Sequence, residues 1–313
     1  MDTWTGVVPA MGSGSLNVWR FDGSADQQFV LDLGPGEAHG TRGVDALPGT
    51  DDPQVFYSNG PLRLSCPRTA TLSLEAWLQG PHDHQTGLMR DDLRVAGLLP
   101  TVEPYTARGM DLGVRAGATV QPAVLSTTGP DAIVDWVLVE LRDAEHPEVV
   151  LSAVPALIQR DGDVVGLDGT SPLQVQVDRP QYHIGLRHRN HLGVMTAAPL
   201  IVGDATVCVD FRSSGTACFG SEARAEGPGY LLLWAGNCNL DQMIRYVGVA
   251  NDRDVVLSDI GGQVPTANVL GYYDSDLNMD GVVKYAGHAN DRDVILISIG
   301  GLLPTQVRTE QLP

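Results

Sequence analysis

Hydrophobic and polar residues alternate along several short segments of the chain, which is the pattern of β-strands with one buried face. Residues 69–78, TATLSLEAWL, place leucine and alanine on one face and serine and glutamate on the other. Residues 132–142, AIVDWVLVELR, are apolar on both faces, which is typical of a strand covered on both sides. Turns rich in glycine, aspartate and proline separate such segments. The pattern therefore predicts a mainly β fold with an antiparallel β-sandwich of immunoglobulin-like or transthyretin-like type.

Other segments carry the same pattern less clearly. One short helix is predicted at 87–99, where Pro100 would end it. Further strands are predicted, in chain order, at 16–22, 27–33, 54–58, 119–126, 148–160, 173–177, 182–188 and 206–211.

Composition divides the chain into three regions. Residues 1–64 are rich in glycine and aspartate and hold only short β segments, which indicates an N-terminal β region or an extended arm. Residues 65–225 carry the predicted sandwich. A polar, glycine-bearing linker at 220–229 leads into residues 230–313, where a duplicated sequence forms a small C-terminal module.

The C-terminal region contains an internal repeat. Residues 237–266 align with 276–305 at an offset of 39 residues without a gap, and about half of the positions are identical. Each copy is predicted to hold an oxygen-rich loop, a short extended segment and a helix, which spans 252–260 in the first copy and 291–299 in the second. An asparagine suited to capping precedes each helix, and a Gly-Gly pair follows it.

The loop of the second copy matches the first half of an EF-hand calcium loop. Asp276, Asn278 and Asp280 stand at loop positions 1, 3 and 5, where calcium takes side-chain oxygens. Gly281 at position 6 allows a sharp turn, and Val282 at position 7 offers its backbone carbonyl. Calcium prefers oxygen ligands and tolerates irregular coordination, so we expect Ca²⁺ to bind here.

The last ligand of this loop is expected from the start of the helix, because position 12 is Gly287 rather than a carboxylate. Asp291 and Asp293 follow a few residues later. We expect both to lie near the ion, with Asp293 favoured because apolar residues follow it directly. The alternative interpretation is a set of Asx turns that lead into a helix without binding an ion.

The first copy is a weaker version of the same loop. Gln242 replaces the glycine at position 6 and is expected to distort the turn, and fewer formal charges predict a lower calcium affinity. The predicted ligands of this loop are Asn237, Asn239, Asp241, the Met243 backbone carbonyl, Asp252 and Asp254.

These motifs resemble a known family. The segment DLNMDGVVKY looks like a dockerin type I repeat, and two such repeats in tandem are the dockerin pattern. The chain also resembles the C-terminal module of large secreted and surface proteins of bacteria. The segments that carry this resemblance are NDRD, IGG, the closing RTEQLP and, upstream, segments such as LMRDDLR and RHRNHLGVMTAAP. The resemblance covers about residues 70–313. The resemblance implies an extracellular, calcium-stabilised, non-enzymatic module. The late carboxylates depart from a true dockerin, so pairing with a cohesin is not carried over.

The chain is strongly acidic, with 38 Asp and Glu against 20 Lys and Arg and a formal net charge of −18. A surface that binds phosphates needs a basic patch, so nucleic acid is not expected as a partner. No run of 18 apolar residues is present, so no membrane insertion is expected. The first residues lack the features of a signal peptide, which suits either a cytosolic chain or a mature exported form. The calcium loops favour an extracellular or cell-surface location, because calcium is abundant outside cells.

The four cysteines leave two interpretations open. In the first, Cys208 and Cys218 form a local disulfide across a strand and turn, and Cys66 pairs with Cys238. In the second, all four are buried free thiols.

Two groups of polar residues outside the calcium loops include histidines. Asp135 falls on an apolar face, and a buried carboxylate needs a partner, which Arg187, His188 or Arg189 of the RHRNHLG segment could supply. The histidines of that segment are expected to form hydrogen bonds rather than to bind metal. Residues 82–84, His-Asp-His, are expected in a solvated loop.

The sequence carries none of the familiar catalytic motifs. We therefore expect a non-enzymatic extracellular structural protein, a cell-surface or fibre-forming subunit that assembles head to tail with copies of itself. Either terminal segment could add a strand to a neighbour's sheet edge. One alternative is a binding module for a glycan or a scaffold protein. A hydrolase with an unrecognised carboxylate pair is the other alternative.

Overall fold

The computed structural model describes residues 68–313 and, before them, the backbone of four strands. Two compact units are present, residues 1–66 and 67–313. The first unit contains a four-stranded sheet in the order β1-β2-β3-β4, and its strands are β1 (Trp4–Pro9), β2 (Leu16–Phe21), β3 (Phe29–Asp32) and β4 (Gly40–Thr41). The strands predicted at 16–22 and 27–33 match β2 and β3. The strand predicted at 54–58 lies outside the described residues.

The second unit is dominated by strands. Its strands are β5 (Arg68–Glu75), β6 (His82–Asp83), β7 (Leu88–Met89), β8 (Ile133–Asp143), β9 (Val150–Gln159), β10 (Asp163–Val165), β11 (Leu173–Val177), β12 (Gln181–Arg187), β13 (Val194–Met195), β14 (Leu200–Ile201), β15 (Val207–Asp210), β16 (Ala225–Gly227), β17 (Tyr230–Leu232), β18 (Met243–Arg245), β19 (Asn268–Leu270), β20 (Val282–Lys284) and β21 (Val307–Thr309). Its α-helices are α1 (Asp92–Val95), α2 (Asp252–Asp259) and α3 (Asp291–Ser298).

A nine-stranded sheet forms the centre of this unit. Its main path runs β11-β5-β10-β9-β8-β12-β13, with β14 paired to β12 and β15 paired to β5. Every pair is antiparallel except β15 with β5, which is parallel. The prediction of a mainly β chain with a large antiparallel sheet is confirmed.

The central strand β8 is buried along its whole length. Successive side chains of a strand point to opposite faces, so the contacts of two consecutive residues show what covers each face. The Trp136 indole donates to the Pro100 carbonyl at 2.9 Å, and the Asp135 carboxylate accepts from the Tyr272 hydroxyl at 2.6 Å. Segments before and after strand β8 therefore cover its two faces, which explains why this strand is apolar on both sides.

Three local predictions were wrong. Residues 119–126 were expected to be a strand, but they contain a 3₁₀ turn at Val124–Ser126, and Pro122 within them has no N–H to give to a ladder. The helix predicted at 87–99 is only the short α1, because the residues before it form strand β7, which pairs with β6. The linker predicted at 220–229 holds strand β16, which pairs with β17.

The two repeats exchange strands. Strand β18 of the first repeat pairs with β21, which follows the second helix. Strand β20 of the second repeat pairs with β19, which follows the first helix. Their helices share one apolar core, whose buried members include Ile244, Val256, Val283 and Ile295. Each copy therefore completes the other.

The C-terminal segment is bound within its own chain. Strand β21 belongs to the exchanged pair, and the buried Glu310 carboxylate accepts from Arg187 Nη1 at 2.9 Å and from the Gly193 N–H at 2.6 Å. In the described region β21 pairs on one side, with β18, so the addition of this segment to a neighbour's sheet stays a prediction.

Candidate metal centre

The second loop is organised around the Asp276 carboxylate, which is fully buried. Its Oδ1 accepts from the Asp280 N–H at 3.1 Å and its Oδ2 accepts from the Gly281 N–H at 2.9 Å. Asn278 Oδ1 also accepts from the Asp280 N–H, at 2.8 Å. These bonds are turns of the Asx type that the alternative interpretation describes, and calcium binding by the same oxygens stays a prediction.

Asp291, rather than Asp293, lies against this loop. The fully buried Asp291 carboxylate accepts from the Leu277 N–H at 2.7 Å and from the Lys284 N–H at 2.8 Å. The Asp293 side chain is 50% exposed and accepts from the Asn290 side chain at 2.8 Å. Asn290 in turn caps the helix through the Asp293 N–H, so Asp293 belongs to the helix cap. The preference for Asp293 is corrected by this geometry.

Both loops use a left-handed backbone at positions 4 and 6. In the second loop, Met279 has φ of 59° and Gly281 has φ of 83°. The first loop has φ of 61° at Leu240 and 66° at Gln242. Gln242 therefore adopts the turn that a glycine would make, at a conformational cost of about 1–2 kcal/mol. The expected distortion of this turn is not observed.

The first loop repeats most contacts of the second. The Asp252 carboxylate accepts from the Cys238 N–H at 2.9 Å and from the Arg245 N–H at 2.8 Å, as Asp291 does from the matching residues. Asn239 Oδ1 accepts from the Asp241 N–H at 3.0 Å. Asp254 Oδ2 accepts from the Asn251 side chain at 2.8 Å, in the helix cap. The candidate ligands Asn239, Asp241 and Asp252 therefore lie together, while Asp254 does not join them.

The loops differ at position 1. Asn237 is 4% exposed, and its Oδ1 has no hydrogen-bond partner in the part of the chain that the structure describes. The matching Asp276 uses both carboxylate oxygens. A buried acceptor without a partner lowers the free energy of unfolding by about 1–3 kcal/mol. A cation or a hydrogen-bond donor at the centre of the first loop would remove this cost.

Burial makes these carboxylates hard to ionise without a cation. It raises the pKa of Asp276 to about 6, against the opposing effect of the Arg189 guanidinium. Burial, followed by repulsion from Asp276, raises the pKa of Asp291 to about 7. Burial likewise raises the pKa of Asp252 in the first loop to about 7. A bound dication would favour the ionised form of all three.

The donor set of the loops fits calcium. In the described part of the chain, no group of three or more His, Cys, Asp or Glu side chains is arranged as a metal site. The loops, however, also supply amide oxygens and backbone carbonyls, which hard cations accept. The residues that would hold Ca²⁺ are Asp276, Asn278, Asp280, the Val282 carbonyl and Asp291 in the second loop, and Asn237, Asn239, Asp241, the Met243 carbonyl and Asp252 in the first.

Residues of the loops next to strands β6, β7 and β12 hold the second loop in place. The Asn190 Nδ2 donates to the Asp276 carbonyl at 2.8 Å, and Arg90 Nη2 donates to the Asn278 carbonyl at 2.7 Å. Gly80 lies so close that a Cβ there would be 2.0 Å from the Leu277 carbonyl oxygen. The loop and the sheet thus form a continuous packed structure.

A buried polar network lies beside this contact. Asp135 Oδ2 accepts from Arg189 Nε at 2.9 Å and lies 3.2 Å from His188 Nε2, as the sequence predicted. His188 Nδ1 lies 3.0 Å from His191 Nδ1, so these histidines are hydrogen-bonded as expected. Burial alone would raise the pKa of Asp135, but Arg189 and the hydrogen bonds hold it below its usual range. Arg187 instead pairs with acidic residues elsewhere.

The three cysteines in the described region are free thiols. Cys208 is exposed, Cys218 is partly exposed and Cys238 is buried. The predicted Cys208–Cys218 disulfide is therefore wrong, and burial of every thiol is wrong too. Cys66 lies outside the described residues. The Cys238 Sγ donates to the Asp252 carbonyl at 3.3 Å, which places this thiol in the first loop.

Residues 82–84 do not all lie in solvent. His82 is only 7% exposed, packs between aromatic rings and belongs to a β-hairpin. The prediction of a solvated loop is wrong for His82, although His84 is exposed. In the sequence the two histidines are separated by one residue, but only the hairpin shows that His82 is buried and His84 is exposed.

No known protein family, curated protein or solved structure gives a significant match to the chain. None of the helices in the described region is long and apolar enough to cross a membrane.

Proposed function

We propose that this chain is a non-enzymatic, extracellular structural module, stabilised by calcium in two EF-hand-like loops and built for assembly at a cell surface. The observation that carries the calcium proposal is the pair of buried oxygen-rich loops. One holds two fully buried carboxylates, Asp276 and Asp291, and the other holds an unpartnered amide oxygen on Asn237. A dication would compensate both the buried charge and the unpaired acceptor.

Calcium would act on the whole second unit. The second loop is held by Asn190 and Arg90, and the exchanged strands tie the two repeats together. Binding to the folded form alone adds about 2.7 kcal/mol of stability at a hundredfold excess of calcium over Kd. The large sheet would form one part of the predicted sandwich.

The assembly proposal depends on an edge of this sheet. In the described region, β11 pairs along its length with β5 on one side only. Its sequence, LQVQV, has no charge and no proline, the features that usually protect an edge strand. A strand from another copy could add here and give an open, head-to-tail assembly.

Calcium binding is tested by urea unfolding and calorimetric titration in calcium and in EGTA. Asp291→Asn should weaken calcium binding at least tenfold, because Asp291 lies against the second loop. The matched control Asp293→Asn, in the helix cap, should leave the affinity within about twofold. Equal unfolding in calcium and EGTA would refute the calcium proposal.

Assembly is tested by sedimentation and electron microscopy of the full chain in calcium. Gln176 is an exposed residue of β11. Gln176→Lys should abolish filaments, since a charge on an edge strand opposes strand addition. Gln85→Lys, in an exposed turn, is the control. A monomer at every concentration, or filaments unaffected by Gln176→Lys, would refute strand addition at β11.

A second candidate function is docking to a scaffold protein through the repeats. Ile297 of α3 is 62% exposed, and Leu302 and Leu303, which follow the helix, are 87% and 56% exposed. Exposed apolar side chains of this size suit a protein interface. A monomeric chain that binds a scaffold through these residues would favour this function over self-assembly.

A further inference from the structure

A cluster of aromatic rings surrounds His82 on the hairpin formed by β6 and β7. The His82 ring centroid lies 4.6 Å from that of Trp77, 4.9 Å from Tyr230 and 5.1 Å from His84. The Trp77 indole N–H donates elsewhere, to the Asp161 carbonyl at 3.0 Å. The cluster therefore supplies apolar contacts to His82 but no hydrogen bond.

His82 is the unexplained member of this cluster. Its residue exposure is 7%, and neither ring nitrogen has a hydrogen-bond partner among residues 68–313. The neighbouring Asp83 cannot serve it, because its carboxylate accepts from the Gln85 N–H at 2.9 Å and the Thr86 hydroxyl at 3.0 Å in the hairpin turn. Buried polar atoms without partners are rare and usually indicate a missing ligand, ion or water.

His84 is positioned to share a ligand with His82. His84 lies in the turn directly after β6, and its ring centroid is 5.1 Å from that of His82 with the ring planes tilted by 60°, so the two rings are neighbours at the end of the hairpin. His84 is exposed, and its Nδ1 is hydrogen-bonded to the Tyr230 hydroxyl, which orients the ring. Hydrogen bonds of this kind orient the histidines of metal sites and leave the other ring nitrogen for the ion.

We propose that His82 and His84 together bind one late first-row divalent transition-metal ion, with solvent completing its coordination. Two neighbouring imidazoles form this site, one buried and without a partner among the described residues and one held by the Tyr230 hydroxyl. The site is separate in chemistry from the calcium loops, because imidazole nitrogen suits zinc, copper and nickel, whereas calcium requires oxygen.

The proposal is tested with the untagged full chain, in excess calcium so that the loops are filled. Zinc is titrated by calorimetry, and copper is examined by electron paramagnetic resonance. We expect one zinc ion per chain and a copper spectrum with two imidazole nitrogens. His84→Ala should weaken zinc binding at least tenfold and leave one nitrogen in the copper spectrum.

Two further variants separate binding from folding. His82→Phe keeps an aromatic ring in the cluster but removes the nitrogens, and it should weaken zinc binding as strongly as His84→Ala. The control His146→Ala changes an exposed histidine outside the cluster and should leave the affinity within twofold. Absence of stoichiometric zinc binding, or binding unchanged in both His82→Phe and His84→Ala, would overturn the proposal.

Discussion

Replacing Asn237 with aspartate would give the first loop the carboxylate that the second loop has at Asp276. The site is 4% exposed, and the Asn237 Oδ1 has no partner. A carboxylate there could accept from the backbone N–H groups of the following turn, as Asp276 does from Asp280 and Gly281. It would also place a new negative charge beside the buried Asp252.

Without calcium, the repulsion between the new carboxylate and Asp252 outweighs the new hydrogen bonds. Two like charges about 5 Å apart interact by roughly 3 kcal/mol at an effective dielectric constant near 20. New hydrogen bonds would offset about 1 kcal/mol of this. At pH 9, above the pKa of about 7 that burial gives Asp252, Asn237→Asp should therefore destabilise the calcium-free protein by about 2 kcal/mol. A bound dication removes this repulsion, so the calcium affinity of the first loop should rise by at least tenfold, since about 1.4 kcal/mol corresponds to a factor of ten.

The assay is urea unfolding in EGTA and in saturating calcium, together with calorimetric titration of calcium. Asp276→Asn is the reciprocal variant and should lower the affinity of the second loop. Asp254→Asn is the control, because Asp254 lies in the helix cap. The reasoning is refuted if Asn237→Asp changes stability equally in EGTA and in calcium, or if Asp254→Asn alters calcium affinity as much as Asn237→Asp does.

Three other predictions follow from buried contacts within the second unit. Gly80→Ala should destabilise the protein by about 1–3 kcal/mol in chemical unfolding, because its Cβ would meet the Leu277 carbonyl, whereas Gly203→Ala, with nothing within 4 Å, should not. Arg189→Met should cost about 3–5 kcal/mol because it leaves the buried Asp135 carboxylate without its cationic partner, and adding Asp135→Asn should recover part of that loss. Burial lowers the pKa of both His188 and His191, so the unfolded chain binds more protons below pH 6.5. In calcium, the free energy of unfolding should therefore be highest above pH 6.5 and should fall as the pH drops. This fall should be shallower in His191→Gln than in the exposed control His146→Gln. An unchanged pH dependence of the free energy of unfolding in His191→Gln would contradict this account.

Several features were predictable because the interactions behind them are local. The two helices begin after Asn251 and Asn290 and end before the Gly-Gly pairs, as capping and backbone preferences require. The oxygens at loop positions 1, 3 and 5 bond to the backbone N–H groups two to five residues away. The central strand β8 was predictable from its apolar composition on both faces.

Other features depended on residues that the chain brings together from far apart. Asp291 lies against the loop because strand β20 turns back toward the start of α3, and spacing alone did not distinguish it from Asp293. The parallel pairing of β15 with β5 joins segments that are more than a hundred residues apart in the sequence.

By itself, the sequence determined the duplication, the two oxygen-rich loops, their helices and the predominance of strands, because hydrophobic periodicity, capping and turn preferences act over a few residues. Only the tertiary structure decided that the repeats exchange strands, that the C-terminal segment is bound within the chain and that His82 is buried without a hydrogen bond. These outcomes depend on which distant surfaces pack together, and packing free energy is a property of the assembled fold rather than of any local pattern.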